Sequence, residues 1–378
     1  MPEFLAVTSR GLIDVLSDEV AALGLTVVNK SAAGVLFESN WEGCYRANLE
    51  LRTATRILKP VLDFPAYEPE ELYNNIQKHD FTKYITAQQT LAVDASVRES
   101  AFRDQRFVAM KVKDAVVDQF REKYSGERPN VDTENPTLRL MVRVVKSQVS
   151  VSIDTSGDSL SQRGYRTEAG EAPLREHLAA GLVALSDWQE NVTIIDPMCG
   201  SGTILIEAAL RARRIAPGSF HKKFAFQNFK GFQPEAWDRI VTQAIDSEIE
   251  KPGMHFYGFD VSSRMIRMAK NNAERAGVDG EITFAASAVD VLTPPEGLEP
   301  GLLIVNPPYG ERLGITEELK DVYRDLAFSL KHNFKGWTCW ILSGNEQLTG
   351  ALKLKASRRM PIFNGPIECR FLEYKING

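Results

Sequence analysis

The residues best suited to chemistry are Asn306-Pro307-Pro308-Tyr309. They follow Gly301-Leu302-Leu303-Ile304-Val305, an apolar run that reads as a buried strand of a parallel sheet. Two prolines cannot continue a strand ladder, because neither has an N–H. Pro307 also holds Asn306 out of the helical region. The result is a stiff corner at the carboxyl end of a strand, where open α/β sheets bind ligands. Asn306 Oδ1 and the Pro307 carbonyl can accept the two protons of an exocyclic NH₂ on a planar base. Tyr309 can stack on the ring.

A second constellation is Asp196-Pro197-Met198-Cys199-Gly200-Ser201-Gly202-Thr203, a turn after the apolar run Val192–Ile195. Gly200 and Gly202 let a ligand approach the backbone with no Cβ in the way. The turn lacks the G-x-x-x-x-G-K-[ST] of a phosphate-cradling loop. Asp196, at the strand end, suits a cationic amino group and repels a pyrophosphate, which favours S-adenosylmethionine over NAD. The next strand ends in Asp260, which can accept both ribose hydroxyls. The separation of 58 residues from Gly202 to Asp260 exceeds the usual ~20, so Arg214–Pro252 reads as an insertion. Asp290, after a third strand, is a candidate for the adenine amino group, or else a loop or cap residue. Cys199 reads as a small residue filling the loop rather than a nucleophile. The five histidines are scattered, with no Ser-His-Asp or Cys-His set.

The elements that must position these groups follow from periodicity. From Val192 the pattern is βαβ: helix Ile204–Arg213, strand His255–Phe259, helix Met265–Ala276, strand Ile282–Phe284, strand Leu302–Val305, helix Glu317–Lys331 and strand Thr338–Leu342. Ile367–Ile376 reads as a last strand, antiparallel to a hairpin partner near Met360–Phe363. In front lie two α+β stretches. The first has a strand at Phe4–Val7, a helix from Leu12 to Leu23, a hairpin, a helix from Cys44 to Leu58, and a new strand beginning at Pro60. The second has a strand at Leu91–Val97, an amphipathic helix at Phe107–Phe120 bearing Lys111 and Lys113, and strands at Leu138–Val145 and Val149–Ile153. Ser161–Arg166, with Arg163 and Arg166, is a polar connector, and Ala172-Pro173 opens the next helix.

Basic residues cluster twice. Arg211–Lys230 holds six Lys/Arg, including Lys222 and Lys223, and no acid, interleaved with Phe220, Phe224, Phe226 and Phe229. Cations meet phosphates and aromatic rings can stack on bases; most of these rings are expected instead to pack down onto the sheet. Lys353, Lys355, Arg358 and Arg359 form the second cluster.

The totals exclude several classes. The net charge of −5 speaks against wholesale nucleic-acid coating and leaves room for local basic patches. Four cysteines lie far apart with no C-x-x-C, against a disulfide framework or structural zinc, and no metal is expected. No run of ~18 apolar residues and no charged-then-apolar leader is present, so a soluble cytoplasmic protein is expected.

The glycine turn together with Asn306-Pro307-Pro308-Tyr309-Gly310-Glu311-Arg312-Leu313 resembles the THUMP-domain class I methyltransferases that make N2-methylguanosine, and among them those acting on 23S ribosomal RNA. The resemblance extends through Thr8–Leu12, Ala109–Asp118, Arg128–Asp132 and Arg163–Arg166. It implies a Rossmann-like class I methyltransferase domain with a mostly parallel seven-stranded sheet over 174–378. A ferredoxin-like part (1–62) and a THUMP RNA-binding domain (63–157), both α+β, precede it, with a linker at 158–173. It implies S-adenosyl-L-methionine as cofactor, held by Asp196, Pro197, Gly200, Gly202, Thr203, Asp260, Asp290 and Asn306. Asn306, Pro307 and Tyr309 form the target-amine corner. RNA contacts are expected from Lys111, Lys113, Arg163, Arg166, Lys222, Lys223, Arg358 and Arg359. The segment Ala285–Asp290 aligns ambiguously, so the adenine acid could fall at Ala288. The chain ends at Gly378 without the second methyltransferase to which some members are fused, so a stand-alone enzyme is expected. The expected activity is guanine-N2 methylation of 23S rRNA. Alternatives are a tRNA guanine-N2 methyltransferase of the same plan, an adenine-N6 DNA methyltransferase, which uses the same corner, and a non-catalytic RNA-binding assembly factor.

Overall fold

In the computed structural model, residues 1–166, 174–250, 252–308 and 316–377 are described. They form two compact units, neither contiguous in sequence. The first takes Met1–Val7, Val20–Leu160 and His221–Gln243; the second takes Thr8–Glu19, Ser161–Phe220 and Ala244–Gly378.

The first unit is built on an eight-stranded sheet. Its strands are β1 (Glu3–Val7), β2 (Thr26–Ser31), β3 (Gly34–Glu38), β4 (Arg56–Pro65), β5 (Thr90–Arg98), β6 (Asn130–Val131), β7 (Leu138–Val145) and β8 (Gln148–Asp154), in the order β2-β3-β1-β4-β8-β7-β5-β6. Helix α1 (Ile13–Ala22) follows β1, and α2 (Trp41–Glu50), α3 (Pro69–Ile76) and α4 (Gln105–Lys123) interleave with the later strands. The helix expected from Cys44 to Leu58 stops at Glu50, and Arg56 already opens β4. Pro60 lies inside that strand and not at its start. The pairing of β4 with β8 shifts register between Pro60 and Leu62, so a bulge absorbs the N–H that proline cannot offer. The boundary expected at residue 62 therefore falls within one strand, and the two α+β stretches share one sheet.

The insertion 214–252 does not behave as expected. Its part from His221 to Gln243 belongs to the first unit. Phe226 N donates to Thr155 O at 3.0 Å and Lys230 N to Tyr84 O at 2.9 Å. Phe224, Phe226 and Phe229 are buried there, and Phe226 stacks on Tyr45 at 4.5 Å. These rings thus pack on the N-terminal unit and are not bases' stacking platforms.

The second unit holds the seven-stranded sheet. Its strands are β9 (Ile194–Asp196), β10 (Phe256–Asp260), β11 (Ile282–Ala286), β12 (Leu302–Val305), β13 (Thr338–Ser343), β14 (Arg358–Asn364) and β15 (Ile367–Lys375), in the order β11-β10-β9-β12-β13-β15-β14. Strands β9 to β13 pair in parallel, and β15 runs antiparallel to both β13 and β14. Helices α5 (Glu176–Leu185), α6 (Thr203–Ala212), α7 (Pro234–Asp246), α8 (Ser263–Arg275), α9 (Glu317–Asn333) and α10 (Glu346–Ala351) complete the chain, α7 opening in the first unit. One core collects Leu178, Leu182, Leu205 and Trp340; another, against α9, collects Val305, Leu326, Leu330 and Ile341.

The N-terminal segment Thr8–Glu19 is part of this second unit. Leu12 is fully buried in the same core as Ile362 and Phe371. Phe363 N donates to Arg10 O at 3.3 Å, and the Arg10 guanidinium lies 5.5 Å from the Phe363 ring centre. Ser9 Oγ lies 2.7 Å from His177 Nε2. Burial, with Arg163 and Arg175 nearby, pushes His177 down to about 3, so it stays neutral at working pH.

Candidate functional site

The sheet of the second unit reverses its build direction at β9: β10 and β11 extend it one way, β12 and β13 the other. A crevice at the carboxyl ends of the strands forms at such a switch point. Parallel registers place Gly258 beside Asp196 and Leu303 beside Ile195. Asp196, Asp260 and Asn306 therefore end or follow three adjacent strands.

The turn between β9 and α6 is tied down from both sides. Asp196 Oδ1 accepts from Met198 N at 3.1 Å. Cys199 N donates to Phe259 O at 2.8 Å. Gly200 N donates to Asp260 Oδ2 at 3.0 Å, and Ser262 N donates to Asp260 Oδ1 at 2.8 Å. Each carboxylate oxygen of Asp260 keeps a further acceptor lone pair. Gly202 caps α6 at φ +81°, a left-handed conformation, and an added Cβ would stand 2.9 Å from Phe284 Cζ and 3.1 Å from Ala269 Cβ. Only glycine brings the helix start this close to β11 and α8. Beside Gly200 there is room: an added Cβ would meet nothing nearer than Met265 Cε at 3.7 Å. Thr203 opens α6 and is buried, and α6 has no side-chain cap.

Burial dominates the electrostatics. Asp196 is 1% exposed, and burial, with Asp260 adding to it, pushes its carboxyl up to about 8. Burial and the two acids drive the Cys199 thiol well above its usual range, which leaves it a loop-filling residue without thiolate character.

The corner after β12 carries an unpaired polar atom. Asn306 Oδ1 is buried and, among the described residues, has no hydrogen-bond partner. A buried acceptor without a donor costs ~1–3 kcal/mol, so it marks a place where a donor is meant to arrive. Pro307 is buried and Pro308 exposed. Tyr309, with 310–315, lies outside the described residues. Asp290 is exposed on a single turn, Val289–Val291, directly after Ala288.

Five of the eight expected RNA-contacting cations have other partners. Arg163 is 1% exposed and lies 3.4 Å from Glu207 on α6, which also accepts from Tyr165 Oη at 3.2 Å. It is an interior charge and is not available to RNA. Arg166 grips Glu176 through two nitrogens, at 3.2 and 2.9 Å, and donates to Leu174 O. Arg358 pairs with Glu373 and Asp187 and lies 4.6 Å from the Trp340 ring centre. Lys222, Lys223 and Arg359 are exposed. Lys111 sits 5.1 Å over the Tyr73 ring and Lys113 lies 2.6 Å from Asp114; both are half-buried.

Three regions match known families. Residues 163–373 match the RMKL-like methyltransferase domain, residues 66–154 the THUMP domain, and residues 3–58 the RlmL ferredoxin-like domain. A protein of Aliivibrio salmonicida named ribosomal RNA large subunit methyltransferase K/L is 42% identical over 380 residues, covering 100% of this chain and 54% of its own length. The chain spans about half the length of the curated relatives it matches. Among solved structures, a methylase from Clostridium difficile 630 has a TM-score of 0.92 at 29% identity, with 100% of this chain and 98% of that one covered. A methyltransferase complexed with SAH has a TM-score of 0.91 at 28% identity and the same coverage. The match over 163–373 takes in the glycine turn, Asp260 and the Asn306 corner, more than half of the chain, and on that ground the protein belongs to the RMKL-like methyltransferases, with THUMP and ferredoxin-like parts before the methyltransferase domain.

Proposed function

We propose that the protein is an S-adenosylmethionine-dependent RNA methyltransferase that forms N2-methylguanosine in 23S ribosomal RNA. The observation that carries this reading is the buried, unpaired Asn306 Oδ1 at the switch-point crevice. A guanine N2 amine has two protons to give, and the Pro307 carbonyl is the neighbouring acceptor. The THUMP match over 66–154 and the rRNA methyltransferase names of the relatives favour RNA as the carrier of that base.

The residues of the crevice fit the cofactor. Gly200 leaves an open approach, Asp260 retains acceptor capacity for two ribose hydroxyls, and Asp196 offers a carboxylate to a cationic amino group. Pro197, Gly202 and Thr203 shape the turn, and Asp290 is the candidate for the adenine amino group. S-adenosylmethionine supplies an electrophilic methyl group. Asn306 Oδ1 and the Pro307 carbonyl would accept hydrogen bonds from the amine and turn the nitrogen lone pair out of conjugation with the ring. Tyr309 holds the unstacked base, whose extrusion costs a few kcal/mol. Most of the acceleration then comes from placing the reactants in line. With the cofactor bound, the nitrogen lone pair would form the new N–C bond as the methyl–sulfur bond breaks, the sulfur would leave as an uncharged thioether, and one amine proton would pass to water.

Mass spectrometry of 23S rRNA from a deletion strain tests the reading. Loss of one N2-methylguanosine is expected; unchanged content rejects it. Methylation of purified tRNA in preference to 23S fragments would move the activity to tRNA.

A further inference from the structure

Helix α8 carries a feature that neither the glycine turn nor the Asn306 corner uses. Arg264, Arg267 and Lys270 recur at every third position, and all three are exposed. Steps of three lag the helical turn by ~60° each, so the three cations stay within ~120° of one side. The other side holds the buried Ile266, Met268, Ala269 and Ala273. The cationic side is therefore free of any packing task. A groove of about 420 Å³ runs over it, lined by these three residues with Met268, Asn271, Asn272 and Arg275.

Counter-charge is sparse here. Some exposed cations of the same unit sit beside acids: Arg324 lies 2.5 Å from Asp321 and Arg370 2.9 Å from Glu346. Among the described residues, Arg264, Arg267 and Lys270 have no ion-pair partner, and the helix carries a single acid, Glu274, on this same side four residues after Lys270, so the side keeps a net positive charge. In a chain of net charge −5, a stripe of unpaired cations is the footprint of a polyanion. The one apolar residue that lines the groove, Met268, is only 7% exposed, so the side offers no exposed anchor of the kind that holds a protein partner. Phosphates need none, because charge and hydrogen-bond donors suffice. The three cations span ~9 Å along the helix axis, enough for two or three phosphates.

We propose that this side of α8 binds the phosphodiester backbone of the RNA substrate, away from the nucleotide being methylated. The proposal rests on the RNA reading above and adds to it a contact that is blind to sequence and sets the lie of the RNA on the methyltransferase unit.

The test is equilibrium binding of in vitro transcribed 23S rRNA to the full chain and to its R264Q/R267Q/K270Q variant between 50 and 200 mM salt. The expected result is a loss of about tenfold to a hundredfold in affinity at 0.1 M salt, with the slope of log K against log salt shallower by about 2–3. The charge-retaining R264K/R267K variant should keep the parent slope. Calorimetric affinity for S-adenosylmethionine and the melting temperature should match the parent. A triple variant with unchanged affinity and slope overturns the α8 contact while a parent that methylates the RNA keeps the functional reading intact. Loss of cofactor affinity or a lowered melting temperature in the triple variant also overturns it, by assigning the cations a structural part. A parent chain that neither binds nor methylates any RNA overturns both.

Discussion

At the scale of single residues, the site combines two costly atoms. Asn306 Oδ1 is a buried acceptor without a donor among the described residues, and Asp196 is a buried carboxyl whose burial pushes it up to about 8. If Asn306 orients the target amine, Asn306→Ala lowers kcat by about 10²–10³ and leaves cofactor affinity near the parent value. A large loss of that affinity in calorimetry would reassign Asn306 to cofactor binding. The carboxyl gives a pH dependence of definite sign. Between its ordinary value of 3.8 and about 8, folded Asp196 carries a proton that the unfolded chain lacks. The cofactor-free protein is thus stabilised at low pH, and that contribution fades as pH rises toward 8. A cationic cofactor group reverses the preference, because it favours the ionised carboxylate. Affinity for S-adenosylmethionine should therefore fall as pH drops below about 8, by up to about tenfold per unit for one linked proton. Asp196→Asn should flatten that profile; a parent profile already flat from pH 6 to 8 would remove Asp196 from the linkage.

At the scale of elements, the buried pair between Arg163 and α6 sets a contrast with the surface cations. Removing Arg163 leaves Glu207 uncompensated in the interior, a loss of about 3–5 kcal/mol. Arg163→Ala should lower the melting temperature strongly, whereas Lys222→Ala should not move it; equal melting temperatures would contradict the interior role. The same residue shows what sequence reading can and cannot reach. The Asn306 corner and the glycine turn were legible because their chemistry is local: proline and glycine act on their own backbone. Likewise β9 to β13 and helices α6, α8 and α9 follow from periodicity, whereas α7, inside the insertion, does not. The sequence places Arg163 among the RNA contacts because the connector Ser161–Arg166 is polar and has no period, and its partner lies 44 residues further on. One signal was present, namely a lone acid, Glu207, inside the apolar run Ile204–Leu210. The phenylalanines of the insertion were rightly doubted as stacking platforms, but nothing local tells which unit they cover.

At the scale of the molecule, neither unit corresponds to a continuous stretch of chain. The segment Thr8–Glu19 reads like any strand–turn–helix opening, yet it completes the methyltransferase core through Leu12. Leu12→Ala should therefore destabilise by about 2–5 kcal/mol, and a stabilising cofactor should partly restore the melting temperature by mass action. A variant that melts like the parent would show that the segment is dispensable to that core. The same connection constrains synthesis. The partners of Arg10 and Leu12 include Ile362, Phe363 and Phe371, which leave the ribosome some 350 residues later. At about 5–20 residues per second, the first turn of the chain waits roughly 20–70 s with an apolar side chain uncovered. The methyltransferase core is thus closed only once a segment some 350 residues downstream of Arg10 and Leu12 has been made.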